Sequence, residues 1–369
     1  GVNTTVTNNV ITENTVGVGL YGSNATVSNN AISFGEAGIV ALNDGASEMT
    51  FPVITNNSLY YNYAAMYLRP ESAYPLAPTI SNNTVVHSGR AIVGYAGDYG
   101  ELLVPTIANN EISYSGFYMS GISLYVYEEG QIHADVISND INMHEEGGIT
   151  GQVFRYDYPE YSNFPSLSLV AHGNDIHEND SESYFGGGIS LKTYSYGEYP
   201  GYSKIDASIS NNIIHNNQSI GILQLASSEG YGEYSYSTTA ASKVNSVISN
   251  NIISMNDGPG MVAAGGYFDG AAGASSVNSK MFNNLITGNE EMGLIVFAAA
   301  YYGANSGSVH SINDVIIGNN GYGIAAYSAS EEDYGLSTAT VTIDNSIVRD
   351  NLAGDLASYT FFGSGTIGF

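Results

Sequence analysis

The residue types best suited to chemistry in this chain gather between positions 154 and 236: Tyr156, Asp157, Tyr158 and Glu160, then Tyr194, Tyr196, Glu198 and Tyr199, then Tyr234 and Tyr236. Tyrosine supplies a large rigid surface with a polar tip, a composition common at recognition sites. Aromatic faces beside carboxylates suit neutral sugars. These positions read as one wall, with three uses open to it: stacking Tyr on Tyr to cover the chain beneath, self-association, or a glycan site. Arg155 and Lys192 are the cations in or near it.

Other constellations are thinner. His177 and His215 occupy equivalent repeat positions and could face each other; two imidazoles can chelate a transition metal. The competing reading places them, with His144, in solvent-facing turns, and no metal site is assigned. Glu128-Glu129, Glu145-Glu146 and Glu331-Glu332-Asp333 could collect Ca²⁺, but the glycine-aspartate nonapeptide of calcium-binding β-rolls is missing, so no cofactor is expected. Paired carboxylates can hydrolyse glycosides, yet any chain with 35 acids offers such pairs. No catalytic residue is assigned. Sequons begin at Asn3, Asn24, Asn56, Asn82, Asn179 and Asn217. Asn24, in a turn, is the best acceptor, with Asn3 beside it as a candidate.

What positions these residues is a repeat. The phrase aliphatic, small polar, Asn, Asn, any, aliphatic recurs, as in Val27-Ser-Asn-Asn-Ala-Ile32 and Ile248-Ser-Asn-Asn-Ile-Ile253. Anchoring on the second Asn aligns Asn9, Asn30, Asn57, Asn83, Asn110, Asn139, Asn174, Asn212, Asn251, Asn284, Asp314 and Asn345. Two residues on stands an aliphatic column from Ile11 to Ile347, and five residues on a second column carries Asn14, Asn62, Asn179, Asn217, Asn256, Asn289 and Asn319. Beyond it a small residue precedes an aliphatic one, as in Gly188-Ile and Gly221-Ile; Gly354-Asp355 breaks that column. Short aliphatic segments between Asn and Gly read as strands and tight turns. Asn tolerates the left-handed backbone, and stacked Asn side chains can hydrogen-bond from coil to coil. The fold expected is all-β: one right-handed parallel β-helix of about twelve coils, with compact coils over 1–138, long-loop coils over 139–345 and a strand-like tail over 346–369. Insertions enter after the Gly-Ile strand, so they should project from one side, some of them lengthening the strand.

This pattern resembles the right-handed parallel β-helix repeat proteins of the pectin-lyase-like superfamily. The resemblance implies the fold; for function it spans lyases, hydrolases, adhesins and passive stalks. The Asn-Thr-Asp, Asp-Asp, Gly-His-Gly and Arg-Ile-Lys series of the polygalacturonase-like hydrolases does not occur here, His172-Gly173 lacking the first glycine.

Composition narrows the partners. With 8 Lys+Arg against 35 Asp+Glu the formal charge is −27, which argues against nucleic acid and anionic membranes. Zero cysteine excludes disulfides and thiolate metal sites. The longest apolar stretch, Met292 to Tyr302, is about half of the ~20 residues a spanning helix needs. The chain opens inside a repeat, so a preceding segment is expected to have been removed. It closes on an apolar tail in which Tyr359, Phe361, Phe362, Ile367 and Phe369 are assembly candidates. A solenoid end recruits other strands unless capped. The reading favoured by sequence is an extracellular or cell-surface fibre subunit that assembles head-to-tail with itself; the alternative is a carbohydrate-binding or polysaccharide-cleaving β-helix with glycans as partners.

Overall fold

The computed structural model describes residues 3–44, 46–97, 100–116, 119–156, 164–180, 186–196, 202–229, 241–266, 274–300, 303–330, 335–361 and 364–368. Every strand pairing is parallel, and the strands form three sheets that run the length of the molecule. Each coil contributes one strand to each sheet. In coil 1 these are Thr5–Thr7, Val10–Thr12 and Val16–Tyr21, which begin sheets 1, 2 and 3. The chain is a right-handed parallel β-helix of about twelve coils.

The Asn pair of the repeat divides its labour. The first Asn takes the left-handed backbone, as at Asn29 (φ 55°), Asn211 (φ 55°) and Asn283 (φ 54°), and turns the chain from sheet 1 into sheet 2. The second Asn points inward and builds the ladder. Asn212 Nδ2 donates to Asn251 Oδ1 at 3.0 Å and to the Ala171 carbonyl at 2.9 Å, while its own Oδ1 accepts from the Asn174 backbone N–H and Nδ2, both at 2.9 Å. Each rung therefore satisfies four buried polar groups that would otherwise cost about 1–3 kcal/mol apiece.

The aliphatic column stacks in register inside these turns. Ile32, Leu59, Val85, Ile112, Ile141, Ile176, Ile214, Ile253, Ile286 and Ile316 pair in succession and are buried. Coil 12 departs from the sequence alignment by one residue. Ile316 pairs with Val348, not Ile347, and the anchor site is filled by Ser346, whose Oγ accepts from the Asp314 N–H at 3.0 Å. Asn345 is the left-handed residue there (φ 49°), and Ile347 is half exposed. The same offset resolves the apparent break at Gly354-Asp355: Ile324 pairs with Leu356, so Asp355 takes the glycine position.

From coil 6 onward the insertions lengthen the strands. Sheet 1 strands grow from three residues (Thr79–Ser81) to nine or ten (Tyr202–Ser210, Gly303–Ile312), and sheet 3 strands reach ten (Gly187–Tyr196). The surplus extends past the core as a two-layer fin, in which sheets 1 and 3 pack on each other through small side chains. Ser203, Ser242, Ser275, Asn305 and Ser337 form one buried column of it. The hydroxyls of Ser275 and Ser337 have no hydrogen-bond partner, so size rather than polarity selects them. The approach is closest at Gly265, where a Cβ would lie 2.0 Å from the Ser306 carbonyl oxygen.

Residues 346–361 complete coil 12, supplying Ile347–Arg349 to sheet 2 and Gly354–Phe361 to sheet 3. Ser364–Gly368 then adds a further strand to sheet 1, paired with Thr338–Thr342.

Candidate functional site

Where the sheet 1 strands lengthen, their outer face carries a shallow open groove over coils 7–11, with a volume of about 570 Å³. Its floor is the in-register column Leu169, Ala207, Ser246 and Ser279. The outward residues on either side are Ser168 and Val170, Asp206 and Ser208, Asn245 and Val247, Asn278 and Lys280, Ser308 and His310. Alternation dictates this set: Val244, Ile248, Val277 and Met281 face the core, so their neighbours face out.

Behind the floor lies a closed ring of hydrogen bonds. Gln224, buried on sheet 3, donates from Nε2 to Ser246 Oγ at 2.7 Å; Ser246 Oγ donates to Ser279 Oγ at 2.9 Å, and Ser279 Oγ donates to Gln224 Oε1. Each of the three side chains both donates and accepts, so the two sheets are pinned directly under the groove. Sequence reasoning missed Gln224; its one signal is a polar residue at an inward position of the Gly221-Ile-Leu-Gln strand.

Charge in the groove departs from that of the chain. Lys204, Lys243 and Lys280 all project from the outer face of sheet 1 on successive coils, so three of the eight Lys+Arg lie there. Lys204 pairs with Asp206, which also accepts from Asn245 Nδ2 at 2.9 Å. At the far end His310 Nε2 lies 2.7 Å from Asp344 Oδ2. In a chain of charge −27, three lysines on this face, Lys280 of them in the groove lining, lessen the repulsion of an acidic polymer there.

The tyrosine wall sits on the opposite side of the fin, on sheet 3. Tyr156 stacks on Tyr196 (5.6 Å), Tyr194 on Phe154 (5.3 Å) and Phe154 on Tyr127 (5.1 Å), with planes within 15°. Nearer the body Tyr67, Tyr95 and Tyr125 continue the row. The described rings stack on one another along the row, while Tyr194 and Tyr196 face Ser227 and Glu229 of the next coil. Burial pushes the Tyr125 and Tyr127 hydroxyls up to about 12. Asp157, Tyr158, Glu160, Glu198, Tyr199, Tyr234 and Tyr236 lie outside the described residues.

Both cations that sequence placed by the wall lie beneath it. Arg155 is buried, and its Nη1 donates to the Glu128 carbonyl at 3.3 Å. Lys192 is also buried; burial pulls its amine down to about 8 against the attraction of Glu146, whose own carboxyl burial pushes up.

The histidines sort differently from expectation. His177 and His215 are strand residues of sheet 2 rather than turn residues, stacked at 5.1 Å with planes 13° apart. Their Nε2 atoms face Asp140 and Asp175, each at 3.2 Å. Parallel rings so far apart cannot place two nitrogens ~2 Å from one ion. Among the described residues no group of three or more His, Asp or Glu could hold a metal. Glu331, Glu332 and Asp333 lie outside them.

His144 is not in solvent at all. It fills a rung of the second ladder, fully buried. The Ser115 N–H donates to its Nδ1 at 2.9 Å, so Nδ1 is an acceptor and Nε2 carries the proton, donated to the Ile112 carbonyl at 3.0 Å. Asn62 does the same in its rung, accepting from the Gly35 N–H and donating to the Ile32 carbonyl. Neutral imidazole thus replaces a carboxamide atom for atom. Gly121 makes room for the ring, since a Cβ there would lie 2.6 Å from Nε2. Burial pulls His144 down to about 4.

Of the remaining expected sites, Asn24 is half-buried and its Oδ1 accepts from the Phe51 N–H at 2.7 Å, while Asn3 is exposed. Asn179 and Asn217 are buried ladder rungs, closed to modification in the folded chain. Tyr359 stacks on Tyr327 at 4.9 Å and donates to the Tyr322 hydroxyl at 3.0 Å. The backbones of Phe361 and Ile367 belong to strands; Phe362 and Phe369 lie outside the described residues.

No family model and no curated protein sequence matches this chain. Among solved structures it is similar to the periplasmic alginate epimerase AlgG, with a TM-score of 0.40 and 12% identity over 89% of this chain and 76% of that one. Two point mutants of that enzyme align at 0.34 with 10% identity and at 0.33 with 11%, each over 95% of this chain and 78% of the other. What they share with this chain is the parallel β-helix; function is read from its own side chains.

Proposed function

We propose that this chain is a polysaccharide-binding β-helix whose ligand lies along the sheet 1 groove, parallel to the solenoid axis. The observation that carries the reading is the groove itself: five coils repeat a polar side chain on one lip, Ser168, Asp206, Asn245, Asn278 and Ser308, at the ~4.8 Å strand spacing, while the other lip alternates Val170 and Val247 with Ser208, Lys280 and His310, a register suited to a polymer of hydroxylated units. Hydrogen-bond donors and acceptors on a rigid, grooved surface favour extended ligands that are already ordered. An extracellular or cell-surface location belongs with this reading. Affinity electrophoresis in gels containing xylan, dextran or polygalacturonate tests it. At least one polymer is expected to retard the wild type, and Ser208→Trp or Val247→Trp, which fill the groove from outward positions, are expected to abolish the retardation. Equal mobility of wild type and both variants in every gel would sink the proposal.

Head-to-tail assembly is the second reading. Ser364–Gly368 spends one edge on its own chain, and another copy's Thr5–Thr7 could extend the opposite edge. Negative-stain microscopy across a dilution series tests this; discrete rods at every concentration remove it.

A further inference from the structure

The turn between sheets 2 and 3 breaks the repeat twice in the same place. Its left-handed position is Asn216, Gly288 or Gly318 in three later coils and Met143, Glu178, Met255 or Asp350 in the others, while coils 2–5 place four rings there: Phe34 (φ 56°), Tyr61 (φ 53°), His87 (φ 51°) and Tyr114 (φ 58°). These four rings form one exposed stack: Phe34 on Tyr61 at 5.3 Å, Tyr61 on His87 at 5.1 Å, His87 on Tyr114 at 4.6 Å. The adjoining ladder position, Asn62 in coil 3 and Asn179 in coil 7, shrinks to Ser88 and Ser115 in coils 4 and 5. An open pocket of about 370 Å³ lies beside the stack, lined also by Ser88, Ser115, Met143 and Glu145. Ser88 is 2% exposed, lines this pocket, and its hydroxyl has no hydrogen-bond partner.

We propose that this pocket is a second ligand site, separate from the sheet 1 groove, and that it takes one uncharged pyranose ring. Its volume is at the small end for ligand pockets. No Lys or Arg lines it, and the chain's charge of −27 repels anions. A quaternary ammonium would need an aromatic face, but both faces of Tyr61 and of His87 and one face of Tyr114 are covered by their stacked neighbours. Ring edges carry partial positive charge and so attract oxygen lone pairs. Ser88 supplies a buried hydroxyl and Glu145 a carboxylate acceptor for sugar hydroxyls. The aromatic stack follows the solenoid axis, so a bound sugar can belong to a longer glycan running past it.

Saturation-transfer NMR with methyl glucoside, methyl mannoside and methyl galactoside tests the site, with choline chloride and galacturonic acid as charged competitors. A neutral glycoside is expected to give signal, weakened at least tenfold in Gly116→Trp, which fills the pocket from a lining position where a Cβ meets only Glu145 Oε1 at 3.6 Å. Tyr61→Ala should weaken it as well, and His87→Asn stands in if Gly116→Trp does not fold. The proposal is overturned by signal from choline or galacturonic acid alone, by no signal from any glycoside, or by undiminished signal in the folded pocket variants. The groove variant Val247→Trp should leave this signal unchanged, which separates the two sites.

Discussion

Two ladders run side by side through the same coils and tolerate very different residues. The first, at the turn from sheet 1 to sheet 2, is Asn from Asn9 to Asn284 without interruption. The second, one strand later, is Asn from coil 7 to coil 12 but reads Asn62, Ser88, Ser115 and His144 before that. The first turn joins sheet 1 to the three-residue strands of sheet 2. The second borders the aromatic stack and its pocket. In the second ladder the rung follows the residue it faces: Asn217 sits against Gly188, while Ser88 and Ser115 sit against Ala65 and Ala91.

This contrast can be broken most severely at an unbroken rung. Asn212→Ala strands the Asn174 amide groups and the Ala171 carbonyl, and should cost on the order of 4 kcal/mol, since each orphaned buried group costs about 1–3 kcal/mol. Asn62→Ala, with no Asn rung in the next coil, should cost about half as much. Urea unfolding of both variants checks the ratio, and equal losses would erase the distinction between the ladders.

His144 sharpens the comparison through pH. Its folded value of about 4 lies below the 6.5 of an unfolded imidazole, so the unfolded chain binds the proton first. Its contribution is fully present above pH 6.5 and drains away as pH falls toward 4, by on the order of 3 kcal/mol. His144→Asn restores the carboxamide and should remove that part of the acid loss. Thermal melts at pH 7 and pH 4 measure it; parallel slopes for the two proteins would refute the neutral-rung assignment.

A smaller effect is expected where the first ladder ends. Asp314 accepts from the Asn284 N–H (2.7 Å), Asn284 Nδ2 (2.8 Å) and Ser311 Oγ (2.7 Å), while burial pushes its carboxyl up. An acceptor-only group cannot pass the ladder onward. Asp314→Asn should change stability by about 1 kcal/mol or less at pH 7, because the gain from removing a buried charge is offset by the weakened Ser311 bond.

Most of the fold was legible because Asn and Ile columns each report one geometric constraint repeated in every coil. The exception was coil 12, where Asn345 matched the anchor by type while its backbone placed it one residue early. Function was less legible. The tyrosine wall drew attention by composition, and its described rings Tyr156, Tyr194 and Tyr196 each stack on a ring of the neighbouring coil. The groove residues Asp206, Asn245 and Lys280 carried no motif, since the groove lies on the outer face of strands that insertions lengthened. His144 looked like a turn histidine because one-letter spacing does not show that a neutral imidazole copies an amide.

The central claim is that a polysaccharide lies along the sheet 1 groove, and calorimetric titration of an oligosaccharide length series from the retarding polymer tests it most directly. Coils 7 to 11 span four strand spacings, about 19 Å. Affinity should climb with each added unit until the oligomer reaches that length and then level off, and Val247→Trp should flatten the climb. An affinity that is already complete with a single sugar unit, or that ignores Val247→Trp, would contradict the account.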